Sequence, residues 1–214
     1  MAAVERNSRV VLWEVDTQAD FLLPDGKLYV PGAEKRIPNM RRLVDAARSG
    51  NVFLISSTDQ HAPDDVEFQR FPSHCVRGTP GAEIVPELKA AELVHIGNSD
   101  AANIPASVSR VPQVVIEKQT LDVFDNPATD ELLAQLPVGC DFIVFGVVTE
   151  FCVRLAAKGL LDRGRSVALV TDAIEALDEK EGKKTLHELT SLGARLITTN
   201  EALALIERSS TLHA

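Results

Sequence analysis

The sequence is short of cysteine, of basic charge and of long apolar runs. Its three cysteines, Cys75, Cys140 and Cys152, form neither an even count nor a close-spaced pair. That argues against a disulfide framework and for free thiols in a reducing compartment. Lysine and arginine total 22 against 31 aspartates and glutamates, a formal net charge of −9. With no basic cluster, neither nucleic acid nor an anionic membrane surface is expected as a main partner. The longest apolar run, residues 142–148, is far too short to span a bilayer. Residues 1–9 hold no apolar signal core, so a cytoplasmic location is expected. No repeat, low-complexity tract or Ser/Gly/Pro-rich linker divides the 214 residues. One domain over 1–214 follows, with a flexible terminus at 1–9 and, as argued below, a loop insertion at 58–86.

What the chain does have is alternation. Strand-like apolar runs fall at residues 10–15, 52–56, 93–96, 114–116, 142–147, 167–170 and 195–198. Several are apolar throughout, as strands covered on both faces are. Between them lie helical patterns at 33–49, 127–135, 149–163, 179–192 and 200–208. Gly50, Gly164 and Gly193 close three of these, and Pro127 suits a first helical turn. The alternation predicts a three-layer α/β/α domain around a mostly parallel sheet of roughly six strands. The stretch 58–86 is the exception: it is rich in Pro, Gly, His and Asp and shows no periodicity. A long irregular insertion directly after a strand usually carries function.

In an open parallel sheet, ligands bind beyond the carboxyl ends of the strands. Four strand ends are informative here: Asp16 after the first, Asp59-x-His61 after the second, Lys118 near 115, and Cys152 after Gly146-Val147-Val148. Together they bring carboxylates, an imidazole, an amine and a thiol to one rim. Cys152 falls in the first turn of a helix, where amide dipoles stabilise a thiolate; a small buried hydrophobe is the competing reading. Cys140 enters its strand at the opposite rim and reads as structural. Cys75, beside His74, is open to either a catalytic or a bystander role. Asp59, His61, Glu67 and His74 form a candidate ligand set for a divalent ion, since Asp59 and His61 share one face of an extended segment. Imidazole with carboxylate suits Zn, Fe or Mn without choosing among them.

These segments resemble the isochorismatase-like cysteine hydrolases over residues 10–206, and within them the nicotinamidase/pyrazinamidase group. The motifs are Asp16-x-Gln18-x-Asp20-Phe21 with Gly26-x-Leu28-x-Val30-Pro31-Gly32; Asp59-x-His61 with His74-Cys75-Val76-x-Gly78-Thr79-Pro80-Gly81; and Gly146-Val147-Val148-Thr149-Glu150-Phe151-Cys152-Val153. The resemblance implies a catalytic triad of Asp16, Lys118 and Cys152. It also implies an oxyanion hole from the amides of Val148 and Cys152, with a cis peptide at Val147–Val148. It places the metal on Asp59, His61, Glu67 and His74, and the substrate against Phe21, Phe71, Val147 and Phe124. The implied reaction is hydrolysis of nicotinamide to nicotinate and ammonia through a thioester, in pyridine nucleotide salvage. The implied partners are a small-molecule amide and further copies of the chain. Three positions depart from the group's pattern: Gln119–Phe124 after Lys118, Phe71 where Trp is frequent, and Glu67 where many relatives carry His. The alternatives are hydrolysis of another amide, carbamoyl or vinyl-ether substrate, and a non-enzymatic interaction module. A flavodoxin-like redox or nucleotide module is disfavoured, because the chain has no CxxC and no glycine-rich loop after the first strand.

Overall fold

The computed structural model describes residues 9–98 and 104–211. Of the terminus expected to be flexible, only Arg9 lies among them; its carbonyl accepts the Asp141 N–H at 2.7 Å. Seven strands form the sheet: β1 (Val10–Val15), β2 (Phe53–Asp59), β3 (Leu93–Ile96), β4 (Gln113–Lys118), β5 (Asp141–Val147), β6 (Ser166–Glu175) and β7 (Arg195–Ile197). Every pairing is parallel, in the order β3-β4-β2-β1-β5-β6-β7. The α/β/α expectation holds, with one strand more than the rough count of six. All seven match the strand-like runs of the sequence, including the run at 195–198, which forms the three-residue edge strand β7 with two exposed residues.

Among the described residues, six α-helices accompany the strands: α1 (Ala19–Leu22), α2 (Ile37–Arg48), α3 (Pro127–Ala134), α4 (Arg154–Asp162), α5 (Glu179–Ser191) and α6 (Thr199–Thr211). The pattern at 33–49 divides into a 3-10 turn, Ala33–Arg36, and α2. Pro38 explains the division: it has no N–H to bond back into a preceding turn, so the α-helix starts beside it. The pattern at 149–163 likewise opens with a π-helical turn, Thr149–Val153, before α4. Successive side chains of β1 alternate between two cores. Val11, Trp13 and Val15 join Leu132, Leu160 and Leu189 on one face, while Val10 and Leu12 join Met40, Leu43 and Ile206 on the other.

The chain runs from β1 to β2 on one side, and from β5 to β6 on the other. The strand order therefore reverses between β1 and β5, and a crevice opens beyond their carboxyl ends. At that point Val15 pairs with Gly146, and a Cβ on Gly146 would lie 2.0 Å from the Val15 carbonyl oxygen. Only glycine fits there, which lets the chain after β5 turn directly over Asp16. On the other side of β1, the β2–β4 register sets Asp59 opposite Lys118. The insertion expected at 58–86 starts later than that, since Thr58 and Asp59 still belong to β2. From Gln60 it folds back on itself, with His61 N–H donating to Cys75 O at 3.1 Å and Arg77 N–H to His61 O at 2.9 Å.

Candidate active site

Lys118 is the hub. Its Nζ lies 2.9 Å from Asp16 Oδ2 and 3.6 Å from Cys152 Sγ, and it also donates to Asp59 Oδ1. All four side chains are buried. Burial opposes the ammonium, yet the Asp16 and Asp59 carboxylates hold its pKa well above the ordinary lysine value. Asp16 has a left-handed backbone, φ 49°, fixed by its N–H on Ser57 O at 3.1 Å. Asp is one of the few non-glycine residue types that adopt this region readily. Ser57 Oγ donates to Asp16 Oδ1 at 2.8 Å, which leaves Oδ2 toward the ammonium. Burial raises the Asp16 pKa in spite of Lys118. Burial also pushes the Cys152 thiol well above its usual range; Lys118 offsets this only in part, and Asp16 and Asp59 add to it. The Cys152 thiol thus lies buried beside Asp16 and Lys118, with burial raising the proton affinity of both the thiol and the Asp16 carboxyl.

The metal-type residues gather on the other side of Asp59. One donor atom each from Asp59, His61 and His74 lies within 4.8 Å of the others. His61 Nε2 and His74 Nε2 are each 3.9 Å from Asp59 Oδ2. The opposite ring nitrogens are engaged, His61 Nδ1 with Asp65 Oδ2 at 3.0 Å and His74 Nδ1 with Pro72 O at 2.8 Å. His61 Nε2 is buried with no hydrogen-bond partner. An orphaned imidazole nitrogen, aimed at a second imidazole and a carboxylate and braced from behind, fits a divalent metal. Glu67 lines the adjoining cavity, but its carboxylate stands outside that close group. Burial and the Asp59 charge raise its pKa. Asp65 joins the two parts: its other oxygen accepts the Glu67 N–H at 2.9 Å, which orients the turn that carries Glu67. Gln18 clamps Asp59 from below, exchanging two backbone bonds of 2.7 Å with it.

A cavity of about 300 Å³, its open mouth included, joins the thiol to this donor set. Asp59, Glu67, His74 and Cys152 line it, with Phe21, Phe71 and Phe151 as aromatic walls and Leu28, Leu121, Val148 and Leu177 completing it. Phe21 and Phe71 stand against His74, with ring centroids 5.3 and 6.4 Å away. Two residues expected at the substrate are elsewhere. Val147 is wholly buried in the sheet core beneath the cavity. Phe124 points into the opposite core, stacked 6.0 Å from Trp13 under the Arg163 guanidinium at 3.8 Å. Strand-end position shows that a residue is near the rim, not which way its side chain turns. Leu121 and Leu177 carried a usable signal, since both lie just past strand ends, β4 and β6. The Val147–Val148 peptide is cis. Cys75 is fully buried, its N–H on Asp20 Oδ2 at 2.7 Å, and burial with the Asp59, Asp20 and Asp16 charges pushes its thiol pKa far up. It braces the loop that bears His74. Cys140 is buried as well, and none of the three cysteines is in a disulfide.

The model of the isochorismatase domain matches residues 10–96 and 90–201. Among individual proteins, the nicotinamidase of Escherichia coli K12 is 24% identical over 210 residues, 86% of this chain and 92% of that enzyme. The zinc complex of Pyrococcus horikoshii pyrazinamidase superposes with a TM-score of 0.70 at 25% identity, covering 89% of this chain and 99% of that one. The N-carbamoylsarcosine amidase of Thermoplasma acidophilum shares the fold, with a TM-score of 0.67 at 23% identity over 88% and 95% of the two chains. With the domain match running across nearly all of the sheet and the rim it carries, the chain belongs to the isochorismatase family of hydrolases.

Proposed function

We propose that this protein is a cysteine amidohydrolase of small heteroaromatic carboxamides, with nicotinamide as its reference substrate. One observation carries the reading. A small ring-lined cavity has the Asp16–Lys118–Cys152 cluster at one end and the Asp59–His61–His74 donor set at the other. That spacing suits a flat molecule with a reactive carbonyl on one side and a ring nitrogen on the other. It agrees in kind with the nicotinamidase and pyrazinamidase likenesses.

In the proposed reaction Asp16 takes the Cys152 proton as sulfur bonds to the carboxamide carbon. The amides of Val148 and Cys152 donate to the oxyanion, and the Lys118 charge stabilises the thiolate and holds Asp16 in place. Asp16 then returns the proton to nitrogen as the C–N bond breaks, and ammonia leaves a thioester. Water attacks the acyl carbon, giving its proton to Asp16, and the C–S bond breaks to release the acid and a thiolate that Asp16 reprotonates. Asp59, His61 and His74 would hold the divalent ion, with Glu67 beside them on the cavity wall, and the ion would supply a Lewis-acid anchor for the ring nitrogen. Phe21, Phe71 and Phe151 hold the ring and exclude water from the thioester side.

Ammonia release from nicotinamide and pyrazinamide by metal-loaded protein tests this reading. Cys152→Ala should abolish release and keep the native circular dichroism, whereas Cys75→Ala should keep most of the activity. The reverse pattern contradicts the assignment of the nucleophile.

A further inference from the structure

We propose that Leu121 and Leu177 form an aliphatic rim that selects amides whose edge remote from the carboxamide is apolar and uncharged. This rests on the amidohydrolase reading and adds a substrate class to it.

Leu177 is 38% exposed, and it is the one exposed large hydrophobic residue among those described that also lines the cavity. Its exposed apolar surface faces the position a bound ring would cover. Leu121 lines the same cavity from the segment after β4. The charged lining residues are Asp59 and Glu67, both acidic. Lys118 is committed to Asp16 and Asp59, Arg36 pairs with Glu175 at 2.8 Å, and Arg70 lies 5.6 Å from the centroid of Phe71 without lining the cavity. A substrate carboxylate at this rim, on the side away from the Asp59–His61–His74 group, would thus lose water against leucine with no cationic side chain lining the cavity to replace it.

The rim is fixed to the nucleophile's own elements. Phe124, three residues after Leu121, is wedged against Gly159 of α4, where a Cβ would lie 2.1 Å from the ring. The Asp122 side chain caps the intervening turn through Phe124 N–H at 3.0 Å. On the other side Thr149 Oγ1 donates to Glu175 O at 2.8 Å, and Asp178 N–H donates to Glu150 Oε1 at 2.8 Å. Both leucines are therefore held at a set distance from Cys152, as a selecting wall requires.

The test measures binding of nicotinamide, 5-methylnicotinamide, 6-methylnicotinamide and 5-carboxynicotinamide to metal-loaded Cys152→Ala by calorimetry, and kcat/KM for the same amides with active enzyme. At least one methyl compound should bind about three- to fourfold tighter than nicotinamide, the worth of one buried methyl group. The carboxylate should bind more than tenfold weaker. Leu177→Ala or Leu121→Ala should erase the methyl preference, and Leu177→Lys should recover the carboxylate. A methyl-to-parent ratio unchanged in both alanine variants overturns the rim. If the enzyme hydrolyses none of the amides but binding follows the stated pattern, the rim stands and the amidohydrolase reading falls. If none of them binds, both fall.

Discussion

At the residue scale the molecule turns on one lysine that serves two sites. Lys118 contacts both Asp16, beside Cys152, and Asp59 of the metal-type group, so the two halves share a single charge balance. Replacing it leaves two buried carboxylates facing each other without a cation. Asp16→Asn and Lys118→Ala should each lower kcat by more than about a hundredfold, the usual cost of losing a general base or its partner. Because the groups act together, the double variant should be little worse than the worse single one. Losses that multiply in a kinetic cycle would show that they act separately. That Asp16, Lys118, Cys152, Asp59, His61 and His74 gather at one rim was legible in the sequence, because each stands at or just past a strand end or in the one irregular insertion. Phe124 shows the limit of that reading: an apolar residue near a rim is equally compatible with wall and core, and only the Trp13–Gly159 niche decides it.

At the scale of elements, strands β1, β2 and β4 are tied by a buried polar group that the apolar pattern conceals. Glu14, wholly buried in mid-strand, accepts from Ser56 Oγ, Thr17 Oγ1 and Gln113 Nε2, and Gln113 Oε1 accepts the Ala90 N–H. Burial outweighs these bonds and raises its pKa from 4.5 to about 7. The folded carboxyl thus holds its proton where the unfolded one has lost it. Stability is free of this penalty below about pH 4.5 and falls as pH rises toward 7, above which the penalty is fully present. At about 1.4 kcal/mol per unit it reaches roughly 3 kcal/mol. Glu14→Gln should therefore gain on the native protein by roughly that amount between about pH 5 and pH 8, measured by urea unfolding. A difference that does not change with pH would show that Glu14 is already ionised in the acidic fold. Gly159→Ala should cost about 1–3 kcal/mol by forcing Phe124 from its niche, read as a lower urea midpoint. An unchanged midpoint would mean that the ring is loosely held. The strand cores and helix centres were readable from periodicity. The 3-10 turn before α2 and the π-turn at Thr149–Val153 were not, since each satisfies the same spacing as an α-helix and differs only in its hydrogen bonds.

At the scale of the whole molecule, the reversal of strand order between β1 and β5 places the chemistry. Everything at the crevice follows from which strands end there: β1 with Asp16, β5 with the turn that carries Cys152, and β2 with β4 bringing Asp59 to Lys118. The metal-type group and the thiol then face one cavity from two sides. If the ion's task is to anchor the ring nitrogen, chelation should raise KM for nicotinamide steeply, and adding zinc or manganese back should restore it. Benzamide, which lacks that nitrogen, should be a poor substrate in both states; equal turnover of the two amides by the metal-loaded enzyme would remove the anchor from the account. The central claim, that Cys152 carries the acyl group, is tested most directly by acid-quenching the enzyme during turnover of nicotinamide and mapping the peptides by mass spectrometry. The account predicts a nicotinoyl adduct on the peptide that contains Cys152 and none on that containing Cys75. Steady turnover with no adduct on Cys152, or an adduct on Cys75, would contradict it.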